Sequence, residues 1–322
     1  MVNKVTPDSM MSASRLPSIM GLSKYQTPND ELEYSINALK GLERPDIGNQ
    51  SMQWGNLLEP VILKEAATRL QVTDLVTEHE TAYYHDELPL CCSLDGTAHG
   101  HGQVVATDTD AGIYVFGQDG DSIQLDGLGV IEAKLTAMEP ESTLPLFRGP
   151  IQLQAQMDIV KAKWGCVAVL YKGTELRLFL FAPHQGTLDR ISQVTLDFQL
   201  RLEHWKKSGR IDYYPPADGE KWPDSRGMYP VNEEAVELDA EAAELAQLIL
   251  NAKADLKDCE QQIDAAEEKL KDFMGVSTIG KIGNYIIKWP VRSFKAQPEK
   301  VVPPKEAYSV RQSTLTIKET SK

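Results

Sequence analysis

Apolar positions along this 322-residue chain change their period twice, and the changes mark out its organisation. Residues 1–210 mix short runs of strand length with stretches of helical spacing. Ser14 is placed to N-cap a short helix running to Gly21. Leu57, Leu58, Val61, Ile62, Ala66 and Leu70 follow helical spacing inside a segment from Gly48 to Leu70, with Pro60 expected near the first turn, where proline is tolerated. Strand-like pieces follow: TAYYHD, LCCSLDGTA, VVATD, GIYVFG, SIQLDG and GVIEAKL, punctuated by Gly and Asp. Residues 150–163 read as a helix. CVAVLYKG and ELRLFLFAP read as a hairpin, and Leu188 to Lys207 as an amphipathic helix.

From 236 to 274 the pattern is different. Leu238, Ala242, Leu245, Ile249, Ala252, Leu256, Cys259, Ile263, Ala266, Leu270 and Phe273 alternate steps of four and three, a heptad seam that packs against another helix of the same chain or of a partner. GNYIIKWPV and TLTIKE then read as short strands. The expected layout is a mixed α/β (α+β) domain over 1–210, a Pro/Gly-rich linker over 211–232, a long helix over 233–274 and a basic β-rich segment over 275–322.

Composition adds bounds. No apolar run spans a bilayer and the N-terminus lacks a signal-peptide stretch, so the expectation is a cytoplasmic, non-membrane protein. Four cysteines without CxxC spacing read as reduced thiols rather than a zinc or iron–sulfur site. The net charge of −14 argues against a generic nucleic-acid binder, but it is unevenly spread. Residues 1–232 carry 20 basic and 31 acidic side chains, 233–272 carry 4 and 13, and 273–322 carry 9 and 3. The basic end can follow phosphates or simply be solvated.

The chemistry concentrates in Ser93-Leu94-Asp95-Gly96 and Val130-Ile131-Glu132-Ala133-Lys134. Asp95 is expected at the end of an apolar strand beside a glycine turn. Glu132 and Lys134, two apart on a second strand, project from one face. Converging carboxylates suit a hard divalent cation such as Mg²⁺, which polarises a phosphoryl oxygen and acidifies a bound water. Lys134 would hold that water or stabilise charge on the phosphate. Glu59 is placed to add a third carboxylate. The bland alternative is an exposed same-face ion pair.

Five stretches in order resemble the YqaJ family of viral recombinases, related to phage lambda exonuclease within the PD-(D/E)XK nuclease superfamily. They are Ser12-Ala13-Ser14-Arg15 with Ile19 to Tyr25, Trp54 to Pro60, Ser93 to Gly96, Ile131 to Lys134, and Gln152 to Met157. The resemblance covers roughly residues 10–200. It implies a restriction-endonuclease-like core, with a mixed sheet between helices. It implies metal binding by Asp95, Glu132 and the Ala133 carbonyl, with Glu59 assisting. Lys134 would orient the attacking water, and Gln152 would hold that water or the phosphate. Ser14 and Ser93 match positions that hold a 5′ phosphate, although a plain helix cap explains Ser14 as well. A polar helix face would explain Gln152, Gln154 and Gln156 as well, and of the three only Gln152 is expected to be functional.

Two departures stand out. About 36 residues separate Asp95 from Glu132, and the excess reads as an inserted or extended hairpin whose aspartates are turn residues. No arginine clearly matches the family's 5′-phosphate ligand, so Lys4 or Arg15 would substitute. The implied activity is Mg²⁺-dependent (Mn²⁺ as substitute) 5′→3′ exonuclease action on double-stranded DNA, leaving 3′ overhangs for recombination. By analogy it would act in a bacterial host cell if phage-encoded, beside a single-strand annealing protein, and form a homo-oligomer such as a trimeric ring. The rivals are an endonuclease of the same superfamily and a non-catalytic DNA-end binding protein; an iron–sulfur Cas4-type nuclease is disfavoured by the cysteine spacing.

Overall fold

The computed structural model describes residues 6–42, 50–77, 79–116, 121–216, 222–223, 228 and 237–290. The chain divides into two compact units, Met1–Pro223 and Asp224–Lys322. In the first unit the order is β1 (Met11–Ser12), a 3-10 turn (Ala13–Arg15), α1 (Leu16–Ile19), α2 (Pro28–Leu39), α3 (Gln50–Leu70), β2 (Thr73–Val76), β3 (Tyr83–Tyr84) and β4 (Leu90–Cys92). There follow β5 (Gly96–Ala106), β6 (Ile113–Phe116), β7 (Ser122–Thr136), α4 (Pro150–Val160), β8 (Trp164–Tyr171), β9 (Glu175–Phe181) and α5 (Gln185–Ser208).

A mixed six-stranded sheet in the order β2-β5-β7-β8-β9-β6 forms the centre, as expected for an α/β core between helices. Strand alternation assigns its two faces. Ile131, Trp164, Cys166, Ala168, Leu178 and Leu180 point one way, against Ile62, Leu63, Ala66 and Leu70 of α3. Their neighbours Glu132 and Val167 point the other way, towards α4. Gly165 has no side chain because a Cβ there would lie 2.7 Å from Met157 Sδ of α4, so the helix rests directly on the strand. Eight of the eleven α4 residues are buried.

The stretch read as an inserted hairpin is one, but it is not an appendage. β5 and β7 pair antiparallel from Gly96↔Ile131 to Ala106↔Ser122. Between them the chain reaches the far edge of the sheet, where β6 pairs parallel with β9 from Ile113↔Leu178 to Phe116↔Phe181. Stacked rings, Tyr114 on Phe179 at 5.3 Å and Phe116 on Phe181 at 5.2 Å, hold it there. Asp108 Oδ1 accepts from the Asp110 and Ala111 N–H groups, the expected turn role.

Several local expectations are corrected. Pro60 lies in the middle of α3, with about ten residues of helix before it, rather than near its first turn. Ser14 caps nothing: it sits inside the 3-10 turn, and neither that turn nor α1 has a side-chain cap. Gly96 opens β5 rather than making a turn. The apolar pattern does not mark α2, although Thr27 and Asp30 form a reciprocal capping box with Pro28 at the first position. It does not mark β1 or β2 either. The stretch taken as linker begins by docking: Tyr214 N–H donates to Asn29 Oδ1 at 2.7 Å, and the Arg201 guanidinium lies 4.1 Å over the Tyr214 ring.

The second unit contains α6 (Ala240–Met274), capped by Asp239, whose side chain accepts from the Ala242 N–H, and the antiparallel hairpin of β10 (Ile279–Ile282) and β11 (Tyr285–Lys288). The TLTIKE strand, Lys4, Gly48, Asn49 and the tail beyond 290 lie outside the described residues. Among the described residues no helix is long and apolar enough to cross a membrane.

Candidate active site

Asp95 occupies the residue before β5, and Gly96 pairs with Ile131, so the Asp95 carboxylate arrives beside Glu132. The Ala133 N–H donates to Asp95 Oδ2 at 2.9 Å and fixes it to β7. Gly96 matters to this placement because Leu63 of α3 lies 3.1 Å from where its Cβ would be. A side chain there would push the strand and Asp95 away from the helix.

Glu132 is 1% exposed and is the best-anchored group of the site. Lys134 Nζ donates to its Oε1 at 2.6 Å, as the same-face expectation requires. Gln152 Nε2 donates to the same oxygen at 2.8 Å, and Gln156 Nε2 reaches Oε2 at 2.7 Å. Lys134 Nζ also lies 3.2 Å from Gln152 Oε1, where it donates. A buried carboxylate with one cation and two amides around it is satisfied in charge and in hydrogen bonding.

The exposed-ion-pair alternative is thereby excluded. So is the polar-face reading of the three glutamines. Gln156 is fully buried on Glu132, and it also donates to the Ser93 carbonyl at 3.0 Å. Gln154 is buried elsewhere: it donates to the Ala182 carbonyl and accepts from the His184 N–H. Gln156 is therefore a site residue that the sequence reading missed. The signal available was its place four residues, one helical turn, after Gln152.

Glu59 is half-buried on α3. Burial raises its carboxyl above the ordinary range, Glu132 raises it further, and Lys134 opposes both. Burial likewise pushes Asp95 well above the usual carboxylate range; Glu132 adds to the shift, Lys134 pulls it down, Glu59 adds again and the Ala133 N–H pulls down. Burial lowers the Lys134 ammonium, but Glu132, Asp95 and Glu59 together outweigh it, and its pKa ends above the normal value. The four side chains thus act on one another electrostatically, with three carboxylates against one ammonium.

That imbalance is what a divalent cation corrects, and an all-oxygen donor set suits a hard one. Among the described residues no three His, Cys, Asp or Glu side chains converge into a ready-made cage, because the Glu132 oxygens are turned to Lys134 and the glutamines. The donor chemistry fits a cation that competes with those contacts.

The phosphate-side expectations divide. Ser12 pairs with Cys91 in the parallel β1–β4 ladder, so Ser14 and Ser93 each sit two residues further along neighbouring segments. Both are exposed. Arg15 is a correction. It is buried, and its guanidinium donates to Glu31 Oε2, the Asp8, Met10 and Glu31 carbonyls and Ser35 Oγ. All five N–H groups of an arginine are accounted for by these five bonds, so none is left for a phosphate.

Comparison with known proteins adds a family match. Residues 6–138 match the model of the YqaJ-like viral recombinase domain. That span includes Glu59, Asp95, Glu132 and Lys134 and ends before the glutamines of α4. No curated protein matches. Among solved structures, an alkaline exonuclease from Laribacter hongkongensis, LHK-Exo, in complex with dAMP, is 16% identical with a TM-score of 0.43 over 62% of this chain and 93% of its own. A phage-related exonuclease from Haemophilus somnus 129PT is 11% identical with a TM-score of 0.36 over 62% and 96%. The ordered motifs and the matched model point the same way: over residues 6–138 this chain is similar to the YqaJ-like viral recombinase domain.

Proposed function

We propose that this chain is a divalent-metal-dependent deoxyribonuclease, and in particular an exonuclease that uses Mg²⁺ to degrade double-stranded DNA from 5′ ends. The observation that supports it most is the clustering of Asp95, Glu132 and Lys134 at the mouth of the sheet, with Glu59 in electrostatic reach. Asp95, Glu132 and the Ala133 carbonyl would hold the cation, with Glu59 assisting. When bound, such an ion would polarise a phosphoryl oxygen and lower the pKa of a bound water.

The protein side supplies position and charge. Lys134 stays protonated at neutral pH and can exchange its Glu132 contact for the attacking water or the phosphate oxygen. Gln152 touches both Glu132 and Lys134 and so sets the spacing between metal ligand and ammonium. Gln156 holds the far oxygen of Glu132 and keeps the carboxylate in one rotamer. Ser14 and Ser93, exposed on adjacent segments, would receive the 5′ phosphate.

Cleavage of a 5′-phosphorylated linear duplex in Mg²⁺ tests this reading. Asp95→Ala and Lys134→Ala should each lose at least about a hundredfold in rate, the scale of losing an electrostatic catalytic group. Parent-like cleavage by either variant removes the site assignment. Covalently closed circular DNA should survive; its rapid loss without a free end would replace the exonuclease by an endonuclease. Binding of DNA ends without cleavage would leave only an end-binding role.

A further inference from the structure

None of the residues of α6 is buried, although its seam is strongly apolar. Leu245 is 54% exposed, Leu256 59%, Ile263 57% and Phe273 89%. At about 1.5 Å per residue its 35 residues extend roughly 50 Å, and a stripe of that length is stable in water only when covered. The seam itself says what covers it best.

In heptad terms Ala242, Ile249, Leu256, Ile263 and Leu270 take the a positions, and Leu245, Ala252, Cys259, Ala266 and Phe273 the d positions. A parallel, in-register pair would set each residue against itself. Ala242, Ala252 and Ala266 would leave voids, Phe273 would be overcrowded, and Asp255 would flank Glu260 of the second copy, twice. Both defects destabilise.

We propose that α6 pairs with α6 of a second copy of this chain, antiparallel, in the register that sets Leu256 against Cys259 of the second copy. In that register Ala242 meets Phe273, Leu245 meets Leu270, Ile249 meets Ala266 and Ala252 meets Ile263. Every seam alanine faces a large residue, the arrangement that fills layers evenly. The charges flanking the seam agree, because Lys253 falls beside Glu260 of the second copy on both sides of the two-fold axis. Sliding one heptad towards the N-terminus sets Ala242 against Ala266, Lys253 against Lys253 and Asp255 against Asp255. Sliding one heptad the other way gains Lys253 beside Glu267, but it sets Glu260 against itself and leaves Ala242 and Leu245 beyond the end of the other helix.

Light scattering and sedimentation on the full chain test the proposal, with variants at exposed positions of α6. The parent should be a dimer at about 100 µM and dissociate on dilution. Glu260→Lys, which puts two like-charged pairs across the seam, should raise the dissociation constant about tenfold. Lys253→Glu combined with Glu260→Lys should restore it. A parent that is monomeric at every concentration, or that associates only as a trimer, overturns the proposal. Tighter association of the Glu260→Lys variant would mean a parallel pair, with Asp255 gaining a partner, and overturns it. Association unchanged by Glu260→Lys places the contact elsewhere or in another register, and also overturns it.

Discussion

Gln156 and Gln152 reach the same carboxylate from one helix but differ in burial, and that difference separates their expected effects. Gln156→Leu removes two bonds from a group with no access to water. It should cost about 1–3 kcal/mol in a melting experiment and slow cleavage at least tenfold, because Glu132 loses an anchor. Gln152→Leu, at a half-buried position, should slow cleavage comparably while the melt moves little. Asp95→Asn should show the opposite coupling of function and stability. The Ala133 N–H still finds an acceptor, but the buried charge beside Glu132 is gone. In chelator the variant should melt about 2–4 °C higher than the parent and fail to cleave DNA. For Arg15→Ala the expected effect is on folding and not on 5′-phosphate preference. The buried Glu31 loses its ion pair with Arg15, at a cost of about 3–5 kcal/mol. The thiols divide by burial: it pushes Cys92 and Cys166 up to about 12, Cys91 is buried, and Cys259 is exposed. Iodoacetamide at pH 8 should add one label to the native chain and four after denaturation, read by mass spectrometry.

At the scale of elements, the site depends on close approaches that glycine permits. Gly149, with φ at 122°, precedes α4, and a Cβ there would lie 2.9 Å from Val167 Cγ1. Gly149→Ala should lower the melting temperature and also reduce cleavage, since α4 carries both glutamines; a destabilised variant with parent-like turnover would mean that α4 position does not matter. The excursion between β5 and β7 shows the limits of reading elements from a run of residues. Its hairpin and turn aspartates follow from local pattern, but its Ile113–Phe116 strand is stabilised by β9, some sixty residues later in the chain. No local signal states that pairing. Likewise Pro60 is tolerated inside α3 because that helix is held by Leu63, Ala66 and Leu70 against the sheet, so tertiary packing outweighs a broken helical bond.

For the whole molecule, the first unit owns the sheet, the candidate site and the docked residues up to Tyr214. A fragment ending at Pro223 should therefore keep the main unfolding transition within a few degrees of the full chain's, measured by calorimetry, and should keep its cleavage activity on linear duplex. The acidic balance of the chain does not exclude a DNA substrate, because under the proposed function the local charge at the site is set by Glu59, Asp95, Glu132 and Lys134 with the cation they would hold, rather than by a basic surface. Salt should consequently weaken activity only modestly.

Order and spacing in the sequence by themselves determined the α/β class, the heptad helix and the same-face Glu132–Lys134 pair, whereas Asp95 reaches them through the pairing of β5 with β7. These rest on periods of two, three and a half and three point six, which the backbone enforces locally. Only the tertiary structure decided that Gln156 serves Glu132, that Arg15 spends all its donors inside the fold, and that the excursion supplies an edge strand. In each case the deciding partner lies far away in sequence, and burial rather than local pattern determines what the side chain can do.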